Sequence, residues 1–192
     1  MARCKAFDED ATLQRAMELF QAKGFEATSI QDLVDHLGIN RQSLYDTFGD
    51  KQALYLASLE RYRHAVSRPF SDLLDGPLPL RKALAAIFSL SLDRLLSPNG
   101  QPCLMAHAAL ERANEDPATQ TCVSDNLKHV FDLFEKRLRR AQADGELGPA
   151  HDPAALAHYL QNSLHGLQVT ARAGASRADL EGIVRVTLSV LG

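Results

Sequence analysis

Apolar residues along this chain recur at three- and four-residue steps, and Gly, Pro, Asn and Asp fall between the blocks they form. That period lines one face of an α-helix, whereas the two-residue alternation of a half-buried strand is almost absent. Leu13, Ala16, Met17 and Phe20 predict a first helix over Asp8 to Lys23, closed by Gly24 as a left-handed cap. Ser29 stands before Ile30, Leu33, Val34 and Leu37 with Asp32 three residues on, the spacing of a capping box, and Gly38 ends that short second helix. Asn40 follows two residues later and can cap a third helix that turns Leu44 and Phe48 inward.

The same period continues downstream. Gly49 ends the third helix and Asp50 opens a fourth, through Leu54, Ala57 and Tyr62 to the break at Asp75-Gly76-Pro77. Leu80, Leu84, Ile87, Phe88 and Leu95 line a fifth helix, stopped between Ser97 and Pro102, and a shorter sixth spans Cys103 to Glu115. Val123, Leu127, Val130, Phe131, Phe134 and Leu138 form the stripe of a seventh, ended by Gly145 to Pro149. The eighth, capped by Asp152, has one apolar face (Leu156, Leu160, Leu164, Leu167) and one of small or amphipathic residues (Tyr159, Ser163, Gly166, Thr170, Ala173), so both sides need cover. A ninth carries Leu180, Ile183, Val184, Thr187, Leu188 and Leu191. The fold class predicted is all-α, with about nine helices.

Composition narrows the classes open to such a chain. With 192 residues, 45% of them hydrophobic, it can bury a sizeable core and is not disordered as a whole. A net charge of −3 makes no general demand for nucleic acid or a membrane surface, so any such partner must be argued from position. No apolar run approaches the roughly 18 to 20 residues of a membrane span and no apolar leader opens the chain, so a soluble, cytoplasmic protein without a membrane partner is expected. The three cysteines, Cys4, Cys103 and Cys122, are widely spaced and form no CxxC pair, which argues against a disulfide framework or a zinc ribbon. GxSxG, HExxH, P-loop and GxGxxG patterns are all missing, so neither catalytic residues nor a cofactor are expected.

The chemistry concentrates in the second and third helices. Leu33, Val34 and Leu37 pack on Leu44 and Phe48 and fix the angle between two short helices, leaving Arg41, Gln42, Ser43, Tyr45 and Asp46 near the exposed amino-terminal end of the third. Guanidinium and amide geometry suits Arg41 to guanine and Gln42 to adenine, while Asp46 can accept from cytosine N4; Ser43 completes the base-reading set. Thr28 and Ser29 at the start of the second helix, with Tyr45 and Lys51, are the candidates for phosphate contacts.

The run from Thr28 to Lys51, with Leu37-Gly38-Ile39 at the turn, Leu44-Tyr45 in the third helix and Phe48-Gly49-Asp50-Lys51 after it, closely resembles the helix-turn-helix of the TetR family of repressors. Gly24-Phe25 ahead of it adds to the likeness. The resemblance implies a DNA-binding domain over residues 1–50 and a helical domain for ligand binding and dimerisation over 51–192. It implies a repressor that binds a palindromic, double-stranded operator as a homodimer and is released by a small-molecule effector. It places Phe88, Cys103, Met105, His107, Phe131, Phe134, Tyr159 and Gln161 around an effector cavity. It gives the dimer interface to the eighth and ninth helices, with Ser163, Gly166, Thr170, Ile183, Val184, Thr187, Leu188 and Leu191.

Local charge tempers this expectation. The first sixty residues hold six Lys and Arg against ten Asp and Glu, so affinity for DNA in general should be modest, although Arg3 and Lys5 can form a basic arm. A dimeric helical module without DNA binding is the alternative. Cys103 begins a helix, where free amides lower a thiol pKa, yet it is equally a small buried residue. Cys103, His107 and Glu111 fall at four-residue steps, and His129, His158 and His165 lie on later helices; two ligands from one helix do not make a metal site, and none is expected.

Overall fold

The computed structural model describes residues 7–97, 100 and 102–192. Arg3, Cys4 and Lys5 lie outside the described residues, as do Pro98, Asn99 and Gln101 of the expected break. The described residues form helices alone: α1 Glu9–Lys23, α2 Ile30–Leu37, α3 Arg41–Phe48, α4 Lys51–Asp75, α5 Leu80–Leu96, α6 Leu104–Glu111, α7 Pro117–Ala143, α8 Pro153–Arg172 and α9 Arg177–Ser189. None of these helices is long and apolar enough to cross a membrane.

Packing divides the chain into a first unit, Met1–Ala65 with Cys103–Ser124, and a second, Val66–Pro102 with Asp125–Gly192. This grouping differs from a cut at residue 50. The early turns of α4 and all of α6 share a core with α1, α2 and α3, because Leu54, Tyr55, Leu59, Leu104, Met105 and Ala108 bury their side chains among Phe20, Phe25, Leu33, Leu37 and Leu44. The second core joins the end of α4 to α5, α7, α8 and α9 through residues such as Phe70, Phe88, Phe134, Leu160, Leu180 and Leu188. Within it α5 packs on α8 and α9, and those two on each other.

Two element ends differ from expectation. Gly24 has φ 84° but ψ 175°, so it reverses the chain with a positive φ without being a left-handed helical cap. The sixth helix stops at Glu111 rather than Glu115: residues 112–115 form a turn, and Asp116 then caps α7 by accepting from Thr119 N at 2.7 Å. Pro69 lies inside α4, where it has no N–H to give the carbonyl of Ala65, the residue at which α4 passes from the first unit to the second.

Candidate functional site

The helix pair is built by its caps. Ser29 accepts from Asp32 N at 3.0 Å through its hydroxyl, and Asp32 accepts from Ser29 N at 2.9 Å, so two orphan donors at the start of α2 are satisfied reciprocally. Asp32 also holds the Lys23 ammonium at 2.7 Å, and that contact, with the Ser29 bonds, keeps its carboxyl far below the usual carboxylate range. Gly38 closes α2 in the left-handed region, at φ 67° and ψ 26°, and the guanidinium of Arg15 on α1 donates to the last carbonyls of α2, His36 O and Leu37 O. Asn40 starts α3 by accepting from Ser43 N at 2.8 Å. Leu33 of α2 and Leu44 of α3 are both fully buried in the same core.

These contacts push one side of α3 into solvent. Arg41, Gln42 and Asp46 are exposed, Ser43 is half-buried and Tyr45 keeps 41% of its surface despite its size. Gln42 Nε2 donates to Asp46 Oδ1 at 2.7 Å, one helical turn away, so the two form a joined pair with their carbonyl and second carboxylate oxygens left as acceptors. Arg41 makes no ion pair among the described residues and supplies the donor at the amino-terminal end of the helix.

The expected phosphate contacts divide. Ser29 is exposed at the α2 N-terminus. Thr28 is not available: its side chain is fully buried and its hydroxyl donates to Gly24 O at 2.6 Å, so it staples the loop before α2. Lys51 is half-buried, with Nζ 4.0 Å above the centre of the Phe25 ring, and burial pushes its pKa down. The other face of the loop is held by residues that periodicity does not reveal. Glu111 accepts from Phe25 N at 2.8 Å, Arg112 pairs with Glu26 at 3.2 Å, and the Arg112 guanidinium also lies 4.6 Å from the Phe25 ring centre. These partners are 86 residues apart in sequence.

The expected effector residues are divided between the two packing units. Cys103, Met105 and His107 belong to the first unit, and Met105 is buried in its core. Phe88 and Phe134 are fully buried in the second core, where neighbouring side chains fill the space around them, and Tyr159 is 39% exposed. The second unit has instead a cavity of about 520 Å³ between α7 and α8, lined by Leu127, Lys128, Phe131, His158, Gln161, Asn162 and His165. Phe131 and Gln161 are the two expected residues that reach it. The i and i+7 positions of His158 and His165 on one helix are legible in the sequence, where hydrogen bonding at a ligand pocket is the expected use rather than metal ligation, and both residues line this space.

The expected interface set needs a similar correction. Thr187, Leu188 and Leu191 are buried in the chain's own core and have no surface to offer a partner. The helical period of α9 leads to a set that mixes its buried stripe with Ile183 and Val184 on the outer side. Gly166 and Ile183 are exposed, Ser163, Thr170 and Val184 half-buried, and the apolar surface left in solvent on these two helices and just after α9 is that of Tyr159, Val169, Ile183, Val186 and Val190.

Comparison with known proteins bears on both halves. The family model "Bacterial regulatory proteins, tetR family" matches residues 13–58, and "Tetracyclin repressor-like, C-terminal domain" matches 75–187. An uncharacterized HTH-type transcriptional regulator of Bacillus subtilis, YezE, is 37% identical over the full length of both chains. The HTH-type transcriptional repressor ComR of Escherichia coli is 33% identical, over 97% of this chain and 90% of its own. Among solved structures, a cysteine mutant of the regulator CifR complexed with 26-base-pair operator DNA superposes with a TM-score of 0.90, at 32% identity and full coverage of both chains.

Proposed function

The chain belongs to the TetR family of bacterial transcriptional regulators, and on that footing we propose that it represses transcription by binding a palindromic operator as a homodimer and letting go when a small molecule binds. The observation that carries this reading is the capped α2–α3 pair, which exposes Arg41, Gln42, Tyr45 and Asp46 on one short helix while burying Leu33 and Leu44. A helix so presented fits the major groove, and two-fold symmetry would set two of them about one DNA turn, roughly 34 to 36 Å, apart. Arg41, Gln42, Ser43 and Asp46 read bases in this scheme; Ser29, Tyr45 and Lys51 grip phosphates. The partner would cover Tyr159 and Val169 on α8, Ile183 and Val186 on α9, and Val190 just after it. The effector enters the α7–α8 cavity. On this reading the chain performs no chemical step.

Contact with phosphates releases counter-ions, so specific binding must weaken as salt rises. Gel-shift titration against the DNA upstream of the protein's own gene, over a salt series and beside a scrambled duplex, tests the assignment. Binding to the native sequence that is tighter than to the scrambled one and falls with salt is expected. Equal binding to both duplexes, or none to either, would favour a helical interaction module instead.

A further inference from the structure

The α7–α8 cavity carries chemistry that narrows what can occupy it. Leu127 and Phe131 give it apolar surface, and Phe131 stacks on the His158 ring, centroids 4.3 Å apart and planes 28° from parallel, so the flat surfaces left to an occupant are the outer faces of that pair. An outer face of this kind favours another ring in offset stacking. Lys128 is the one lining residue with a fixed charge, and its Nζ is already held by Asp132 Oδ2 at 2.7 Å. The pair is exposed and neutral as a whole, so it offers an entering anion or cation no net counter-charge.

The remaining groups are neutral and directional. Gln161 donates to the carbonyl of Leu127 at 2.8 Å and keeps its Oε1 as an acceptor. Asn162 offers both an amide N–H and a carbonyl. His165 is half-buried, and burial pushes its pKa below the ordinary histidine value, so near neutral pH its ring has one donor and one acceptor nitrogen. A volume of about 520 Å³ falls in the range of small-molecule sites.

We propose that this cavity takes an uncharged, flat aromatic molecule bearing a hydroxyl or carbonyl group, of the phenol or quinone class. The ring lies on an outer face of the Phe131–His158 stack, and its oxygen meets Asn162 and His165. This names the effector chemistry for the ligand-responsive reading above and rests on that reading only for its effect on DNA.

The test uses the full chain and four probes of one shape: 2-naphthol, naphthalene, 2-naphthoate and 2-naphthylmethylammonium. The chain has no tryptophan, so naphthol emission can be followed without indole background. 2-Naphthol is expected to bind about tenfold more tightly than either charged probe and several-fold more tightly than naphthalene. Asn162→Leu and His165→Phe should each erase the advantage over naphthalene, whereas Phe131→Ala should weaken both uncharged probes alike; Asn162 is exposed, so its variant keeps the test alive if His165→Phe does not fold. Equal or tighter binding of a charged probe, no binding of any probe, or an undiminished naphthol advantage in Asn162→Leu would overturn the proposal. So would dissociation of a dimer by naphthol in sedimentation, which would give the groove to a second copy. The gel shift is then repeated with naphthol present. Cavity binding without release of DNA would uphold the site and overturn its role as the effector switch, and failure of DNA binding itself would overturn the regulator reading alone.

Discussion

The two packing units of this protein hold themselves together by different means. The first is made largely of short helices: α2, α3 and α6 have eight residues each, too few to be stable alone. Its order comes from polar stitching around a small aromatic core of Phe20, Phe25 and Tyr55. Caps start α1, α2 and α3; Arg61 on α4 grips Asp10 on α1 at 2.5 and 2.9 Å; Glu111 and Arg112 grip the loop before α2. The second unit relies on long helices around a leucine-rich core, with one buried guanidinium, Arg137, paired to Glu146. The contrast has a physical rationale. A reading helix must show polar side chains, so hydrogen bonds must supply orientation that apolar burial cannot, while a unit of long helices can be held by apolar packing.

Four substitutions and one surface control probe that contrast, the four in order of expected effect. Leu188→Ala removes a side chain from the second core and should cost about 3 kcal/mol in urea unfolding, whereas Val186→Ala on the exposed side of α9 should leave monomer stability nearly unchanged. Equal losses would mean that α9 is buried on both sides.

Glu146→Gln tests the ion pair. Glu146 accepts from Leu80 N and pairs with Arg137 at 3.3 Å, and first the Leu80 bond and then the Arg137 charge hold its pKa below the ordinary value. A carboxyl depressed in the folded state contributes stability above its unfolded pKa and loses it as pH falls through the folded one. The substitution should therefore cost about 2 kcal/mol near neutral pH, less than a fully buried pair because a third of Glu146 remains exposed, and should flatten the loss of stability on acidification. An unchanged acid profile would assign that loss to other carboxylates.

Smaller effects are expected in the first unit. Arg41→Ala should leave the melting temperature alone and cost about 2 kcal/mol of discrimination between native and single-base-changed operator sequences, measured by competition gel shift. Asn40→Ala, which removes the α3 cap, should cost about 1 kcal/mol of stability and weaken every DNA sequence alike. If the two variants had matching profiles, the division between reading and positioning residues would fail.

Much of this architecture was legible in the chain. Ser29 with Asp32, Asn40, Gly38 and Asp152 marked helix ends because their bonds are local, three or four residues long, and such bonds leave a fixed spacing. The exposed face of α3 followed from the same logic. Long-range features left no spacing to find. Nothing local predicts that Glu111 will accept from Phe25, 86 residues away; the Thr28 bond to Gly24 spans only four residues but lies in a loop, where no helical period marks it. Leu188 and Leu191 show the remaining ambiguity: a helical stripe reveals that one side is covered but not whether by the same chain or another.

The bond between Gln42 and Asp46 has a consequence for timing. A recognition helix whose Gln42 amide already donates to Asp46 meets a base either through the acceptors that the pair leaves free or by opening that bond, and a sequence that offers the wrong edge does not repay the opened bond. Discrimination then comes from refusal as much as from attraction. With few positive charges nearby, wrong sites should be left quickly, and residence on the genome should concentrate where both partners of the pair find donors.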